Sequence, residues 1–209
     1  DVTVKTTTNK ESNYLWIFDN GHGGIIDGVY QTAGKRSPKY SRGVLYEGMF
    51  NRWVVNRIKE QLDRLSIPYY NISPEDKDTS LASRVSRSES IYNENQDTWL
   101  LSIHANGGGG KGIEGFTSVG NTSSDGIAEI VLSNLEKDLK NQHMRFDMSD
   151  GDKDKESNFY ILRNPRMPAF LLECGFMDNE ADYQNLWDKC YIEMLVNSIV
   201  RSIKEIYEN

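Results

Sequence analysis

The sequence predicts an α/β domain, a sheet covered by helices, and three observations carry that expectation. Apolar runs of strand length alternate with segments of helical periodicity along the chain. Two of the strand-like runs end in glycine-rich turns, where backbone can approach a ligand closely. At 209 residues and 37% hydrophobic content, the chain can bury one sizeable core but is short for two.

The first run, Tyr14 to Phe18, leads into Asp19-Asn20-Gly21-His22-Gly23-Gly24, which places His22 just past a strand end. From Glu47 to Leu65 the residues Phe50, Val54, Ile58 and Leu62 recur every fourth position as the apolar stripe of a helix, and Pro68 stops it. Tyr69 to Ile72 is a short strand, and Ser80 is the N-cap of a helix running to about Tyr92. Thr98 to Ile103 is the next strand, with His104 at its end and glycines 107–110 as a flexible turn beyond. Gly115 to Val119 reads as a strand, and Ile127, Val131, Leu135 and Leu139 mark a helix. The charged stretch Gln142 to Ser157 is expected to be a solvated loop. Tyr160 to Leu162 and Ala169 to Leu172 are strand candidates separated by Asn164, Pro165 and Pro168, the second delivering Glu173. A last helix carries Ile192, Val196, Ile199, Val200 and Ile203 on one side. With no repeat, linker or low-complexity tract, residues 1–209 are expected to form one domain, residues 1–13 being a candidate flexible segment.

Charge excludes several partners. The 24 Lys and Arg are scattered among 31 Asp and Glu, and the net charge of -7 leaves no basic face for nucleic acid or an anionic membrane surface. No apolar stretch reaches the roughly 18 residues that span a bilayer, and the polar opening DVTVKTTTNKESN is not a signal peptide. Asp1 in place of Met is compatible with a trimmed upstream segment. Cys174 and Cys190 form neither a disulfide framework nor a CxxC pair, and both are expected to be buried thiols.

Four ionisable residues stand out, three at predicted strand ends and one at a helix start, where open α/β sheets place ligand sites. Glu47 alone could serve only the positive end of its helix, worth about 0.3 to 1 kcal/mol. A lone histidine is more often a surface or satisfied core residue, but two of the three here follow apolar strands into glycine turns. Glu173 lies inside Phe170-Leu171-Leu172-Glu173-Cys174-Gly175-Phe176, where an unpaired carboxylate costs several kcal/mol and so implies a partner or a role. Two imidazoles and one carboxylate with an open fourth position form a known catalytic zinc set, and a second, unligated carboxylate is then needed to move the proton of the attacking water. His22, Glu47, His104 and Glu173 supply those parts, although no short motif such as HExxH occurs.

Other motifs fail on spacing. Gly107 to Lys111 lacks the GxxxxGK arrangement of a phosphate loop, and Asp150, Asp152 and Asp154 open like a calcium loop but meet Lys155 where glycine is required. His143 is read as a surface residue. A cysteine peptidase built on Cys174 is disfavoured because that residue sits within a hydrophobic strand run.

The segments Phe18 to Gly24, Leu45-Tyr46-Glu47, Ser80 to Arg84, Leu101 to Asn106 and Ala169 to Asn179 resemble, in order, those of the zinc N-acetylmuramoyl-L-alanine amidases of the type 3 family. The resemblance implies one α/β domain whose sheet is mixed but mostly parallel, with helices on both faces and a substrate groove across the metal site. It places His22, Glu47 and His104 on the family's zinc ligands, one Zn2+ per chain, and Glu173 on its catalytic glutamate. It further implies peptidoglycan as partner, a monomer, and action in the cell envelope or outside the cell, by the producing cell or as a phage lysin on a host wall. The family often has a Thr-Arg pair where Asn71, Ile72 and Ser73 stand here, and Ile25 to Val44 is a local elaboration. A zinc peptidase cutting within the stem peptide and a non-catalytic wall-binding module are the rival expectations.

Overall fold

Along the chain, β1 (Leu15–Asn20) is followed by a small hairpin, β2 (Ile25–Ile26) and β3 (Val29–Tyr30), then α1 (Glu47–Leu65), β4 (Tyr69–Asn71), α2 (Leu81–Glu94), β5 (Thr98–Asn106) and β6 (Glu114–Thr117). Then come α3 (Ser123–Asp138), β7 (Lys155–Glu156), α4 (Tyr160–Arg163), β8 (Ala169–Phe176), α5 (Glu180–Leu186) and α6 (Lys189–Glu208). This computed structural model describes residues 14–94 and 97–208, so the predicted flexible segment 1–13 lies outside the described residues.

Six strands form one sheet in the order β4-β1-β5-β8-β6-β7, and every neighbouring pair is parallel except β6 with β8. The mixed, mostly parallel sheet with helices on both faces is therefore as expected. From β1 the chain crosses over α1 to β4 on one side, then over α2 to β5 on the other. Such a reversal opens a crevice at the carboxyl ends of the strands.

Period-two alternation sorts each central strand into two faces. One face of β1, β5 and β8 sends Trp16 and Phe18, Leu101, Ile103 and Ala105, and Phe170, Leu172 and Cys174 into the larger core, closed by α1, α3, α5 and α6. The opposite face sends Ile17, Leu100, Ala169 and Leu171 against Val85 of α2 and Ile161 and Leu162 of α4, a much smaller cluster. Continuing the alternation along that second face gives Asp19 on β1, Ser102 and His104 on β5, and Glu173 on β8.

Several elements differ from expectation, each for a physical reason. Tyr160 to Leu162 is one helical turn, because the N–H groups of Leu162 and Arg163 both donate to the Phe159 carbonyl at 3.0 Å. Adjacent Ile161 and Leu162 thereby reach the same core, where a strand would send them to opposite sides. The strands β5 and β8 continue past their apolar runs, so His104 and Glu173 are register partners inside strands rather than at their ends. The stretch Gln142 to Ser157 contributes the edge strand β7, and its Asp154 is buried, accepting a 2.6 Å hydrogen bond from the Thr117 hydroxyl. Cys174 is buried, but Cys190 is exposed in the first turn of α6. The turn after β5 is tied down, since the N–H groups of Gly108 and Gly109 both donate to one Asp178 oxygen, at 2.7 and 2.8 Å. Ser80 does cap α2, its hydroxyl accepting from Ser83 N–H at 3.2 Å, and His143 is exposed.

Candidate metal centre

His22, Glu47 and His104 come together although 82 residues separate the first from the last in sequence, and their ligand atoms all lie within 4.8 Å of one another. Glu47 Oε1 is the hub, 3.2 Å from His22 Nε2 and 2.9 Å from His104 Nδ1. A tetrahedral ion with bonds of about 2.0 to 2.2 Å sets its donors roughly 3.3 to 3.5 Å apart, so the spacing fits a small divalent cation. The donor chemistry fits as well, because imidazole nitrogen and carboxylate oxygen are ordinary zinc ligands. Among the described residues, this is the cluster of metal-ligating side chains with that geometry.

Each ligand is fixed by its surroundings. His22 sits at φ 67, a left-handed conformation that costs a non-glycine residue about 1 to 3 kcal/mol. Its carbonyl is held by Arg52 Nη1 at 2.8 Å and by Arg84 Nη2 at 3.4 Å, and Asn51 Nδ2 donates to the neighbouring Gly21 carbonyl at 2.8 Å. A Cβ on Gly21 would run into the His104 ring, and one on Gly48 would run into the Gly23 carbonyl, so glycine at both positions lets loop, strand and helix close on one point. Glu47 is the first residue of α1 and is 2% exposed. Burial pushes its carboxyl up, but hydrogen bonds and charge from His104 and His22 outweigh that and hold it well below the usual carboxylate range. Burial opposes charge on His104, whereas the hydrogen bond and charge of Glu47 raise its pKa overall.

Glu173 is adjacent to His104 across the β5–β8 ladder, on the same face. Its Oε2 is buried without a hydrogen-bond partner. Burial, reinforced by Glu47 and Glu114, pushes its pKa up to about 8 against the pull of His104. These side chains open into a groove of about 880 Å³, whose lining includes Lys35, Arg36, Leu81, Phe159 and Tyr160. Lys35 and Arg36 come from the Ile25 to Val44 segment, so that elaboration borders the site rather than only the solvent.

Behind the ligands lies a polar layer that sequence reasoning did not assign. Asp19 accepts from Ser102 Oγ at 2.7 Å and from Ser73 Oγ at 2.8 Å, and it pairs with Arg84. Ser102 in turn meets His104 Nε2 at 3.1 Å. Glu114, the register partner of Glu173 on β6, accepts from Asn106, Arg145 and Lys155. The signal for Ser102 was present, since it stands two residues before His104 on a strand and must share its face. For Arg84 the sequence held no signal beyond membership in a matched segment.

The N-acetylmuramoyl-L-alanine amidase model matches residues 17–205. The chain is 28% identical, over its full length, to an uncharacterized cell wall amidase of Bacillus anthracis, covering 39% of that protein. It is 34% identical to the N-acetylmuramoyl-L-alanine amidase CwlM of Bacillus licheniformis over 46% of this chain and 36% of that one. The chain thus spans well under half the length of these curated relatives. Its fold matches the crystal structure of N-acetylmuramoyl-L-alanine amidase from Clostridium difficile with a TM-score of 0.71 and 26% identity, over 93% of this chain and 96% of that one. With the family model covering nearly every residue between β1 and the end of α6, the chain belongs to the N-acetylmuramoyl-L-alanine amidase family.

Proposed function

We propose that this chain hydrolyses the amide bond between N-acetylmuramic acid and L-alanine in peptidoglycan, with His22, Glu47 and His104 holding one zinc ion and Glu173 acting as general base and then general acid. The observation that carries the reading is the convergence of two imidazoles and a carboxylate beside a buried carboxyl oxygen that has no other partner. Zinc in such a site supplies Lewis acidity, lowering the pKa of water toward neutrality and polarising a carbonyl. Glu173 takes a proton from the attacking water as its oxygen bonds to the lactyl carbonyl carbon. When the carbon–nitrogen bond breaks, Glu173 returns that proton to the departing alanine nitrogen, leaving a lactyl carboxylate and a free N-terminus. A carboxyl whose pKa is raised toward neutrality suits both halves of that exchange.

The 880 Å³ groove supplies the binding surface, lined by the exposed apolar residues Leu81, Phe159 and Tyr160 together with the cations Lys35 and Arg36. All four functional side chains come from one chain, so a monomer suffices, and residues 1–209 act as one catalytic domain. The name of one relative, a cell wall amidase, supports action on the wall outside the cytoplasm.

Digestion of purified peptidoglycan tests the whole reading. New amino termini should be L-alanine alone, a chelator should stop their release, and zinc should restore it. Other new termini would make the chain a stem-peptide peptidase, and intact peptidoglycan would make it a binding module.

A further inference from the structure

The hydrogen-bond chain behind His104 has a direction that its donors and acceptors determine. Asp19 is 1% exposed and Arg84 2% exposed, and they pair at the base of the chain. Asp19 Oδ1 receives Arg84 and the Ser73 hydroxyl, and Oδ2 receives the Ser102 hydroxyl. Ser102 has a single O–H hydrogen, and an ionised carboxylate only accepts, so that hydrogen is committed to Asp19. At the 3.1 Å contact with His104, Ser102 Oγ can therefore only accept, and the proton must sit on His104 Nε2. The opposite ring nitrogen, Nδ1, is the one that faces Glu47 Oε1.

We propose that Ser102 is a positioning residue which, backed by Asp19 and Arg84, locks His104 in the Nε2–H tautomer and so presents the Nδ1 lone pair to the metal. The idea rests on the metal-site reading above. The two histidines are thereby held by different means, His22 through its backbone carbonyl and His104 through its ring. Hydrogen bonding from the non-ligating ring nitrogen fixes both the orientation and the tautomer of a ligand, and losing such a partner typically weakens metal affinity by about 10- to 100-fold.

Two variants probe the direction of the chain. Ser102→Ala removes the acceptor. Asp19→Asn reverses it: with its oxygen toward Arg84, the new amide N–H donates to Ser102, whose hydroxyl then donates to His104 Nε2 and drives the ring to the Nδ1–H tautomer. With three histidines in the chain, nitrogen-15 long-range correlation spectra of the zinc-loaded protein read which ring nitrogen of His104 carries the proton. The zinc-loaded parent should show a protonated, slowly exchanging Nε2 at His104, Ser102→Ala a faster-exchanging one, and Asp19→Asn should lose that N–H signal together with the metal. Zinc affinity, measured against a competing chelator, should fall about 10- to 100-fold for Ser102→Ala and at least as far for Asp19→Asn. Ser102→Thr, which keeps the hydroxyl, should restore both readouts. An unchanged Nε2–H signal at His104 and unchanged zinc affinity in folded Ser102→Ala would overturn the proposal. If His22→Ala bound zinc as tightly as the parent, the metal-site reading would fall instead, whatever Ser102→Ala does.

Discussion

The strand β5 shows two regimes on opposite sides of one backbone. Toward α1, α3 and α6 it sends Leu101, Ile103 and Ala105 into a continuous apolar core. Toward α2 and α4 it begins apolar, with Leu100, and then turns to Ser102, His104 and Asn106. The first side gains stability from every buried methylene, at about 25 cal/mol per Å² of apolar surface. The second side gains little of that, because Asp19, Ser102 and Arg84 are all buried and must satisfy one another. The contrast teaches that the thick core holds the sheet rigid so that the thin face can keep charged groups buried at the crevice.

The comparison can be broken in order of expected effect. Glu173→Gln acts on the polar face alone: turnover of peptidoglycan should drop by about 100- to 10,000-fold, while metal analysis should still find one zinc per chain. Retained hydrolysis would remove Glu173 from its role. Arg84→Met strands the Asp19 carboxylate in the interior and should cost about 3 to 5 kcal/mol of unfolding free energy in urea titrations. A loss within about half a kcal/mol, the usual scatter of surface changes, would mean that water reaches this layer. Ile103→Ala, between Ser102 and His104 in sequence but on the other face, should cost about 2 to 5 kcal/mol and leave zinc affinity as it was. A parallel fall in zinc affinity would show that the two faces are not independent.

The last expected effect concerns a carboxyl buried beside the edge strand β7. Burial, then the carboxylates of Asp152 and Asp125, pushes Asp154 up to about 7, above its ordinary 3.8, although the Thr117 hydroxyl pulls the other way. The folded chain thus holds a proton that the unfolded chain releases, and its stability falls as pH rises from about 4 to about 7. Asp154→Asn should flatten that slope and stabilise the protein on its alkaline side. Urea midpoints compared at about pH 5 and about pH 8 read this out, and an unchanged slope would show that Asp154 ionises freely.

Much of this was legible in the chain. The periodicities of α1, α3 and α6 and the apolar runs of β1, β5 and β8 are large signals, because each buried face repeats over many residues. The pairing of His22 with His104 was hinted at by two strands leading to glycine turns, Glu173 by its apolar surroundings and Glu47 by its place at a helix start, and the resemblance to one family joined the four. Short elements were not legible. The single turn of α4 has too few residues for a period to show, and β7 is two residues whose pairing partner lies nearly forty positions away. Cys190 and Asp154 departed from expectation because burial of one residue depends on what packs over it, which composition does not encode.

By itself the sequence determined the elements, their amphipathic faces and the kinds of side chain available for chemistry, since propensity, periodicity and donor chemistry are local properties. Only the tertiary structure decided that Asp19, Ser102, His104 and Glu173 share one face, and that Arg84 and Ser73 arrive there from separate segments. The register between strands is a relation among residues tens of positions apart. It is set by how the whole sheet packs, and it gives the hydrogen-bond chain behind His104 its direction.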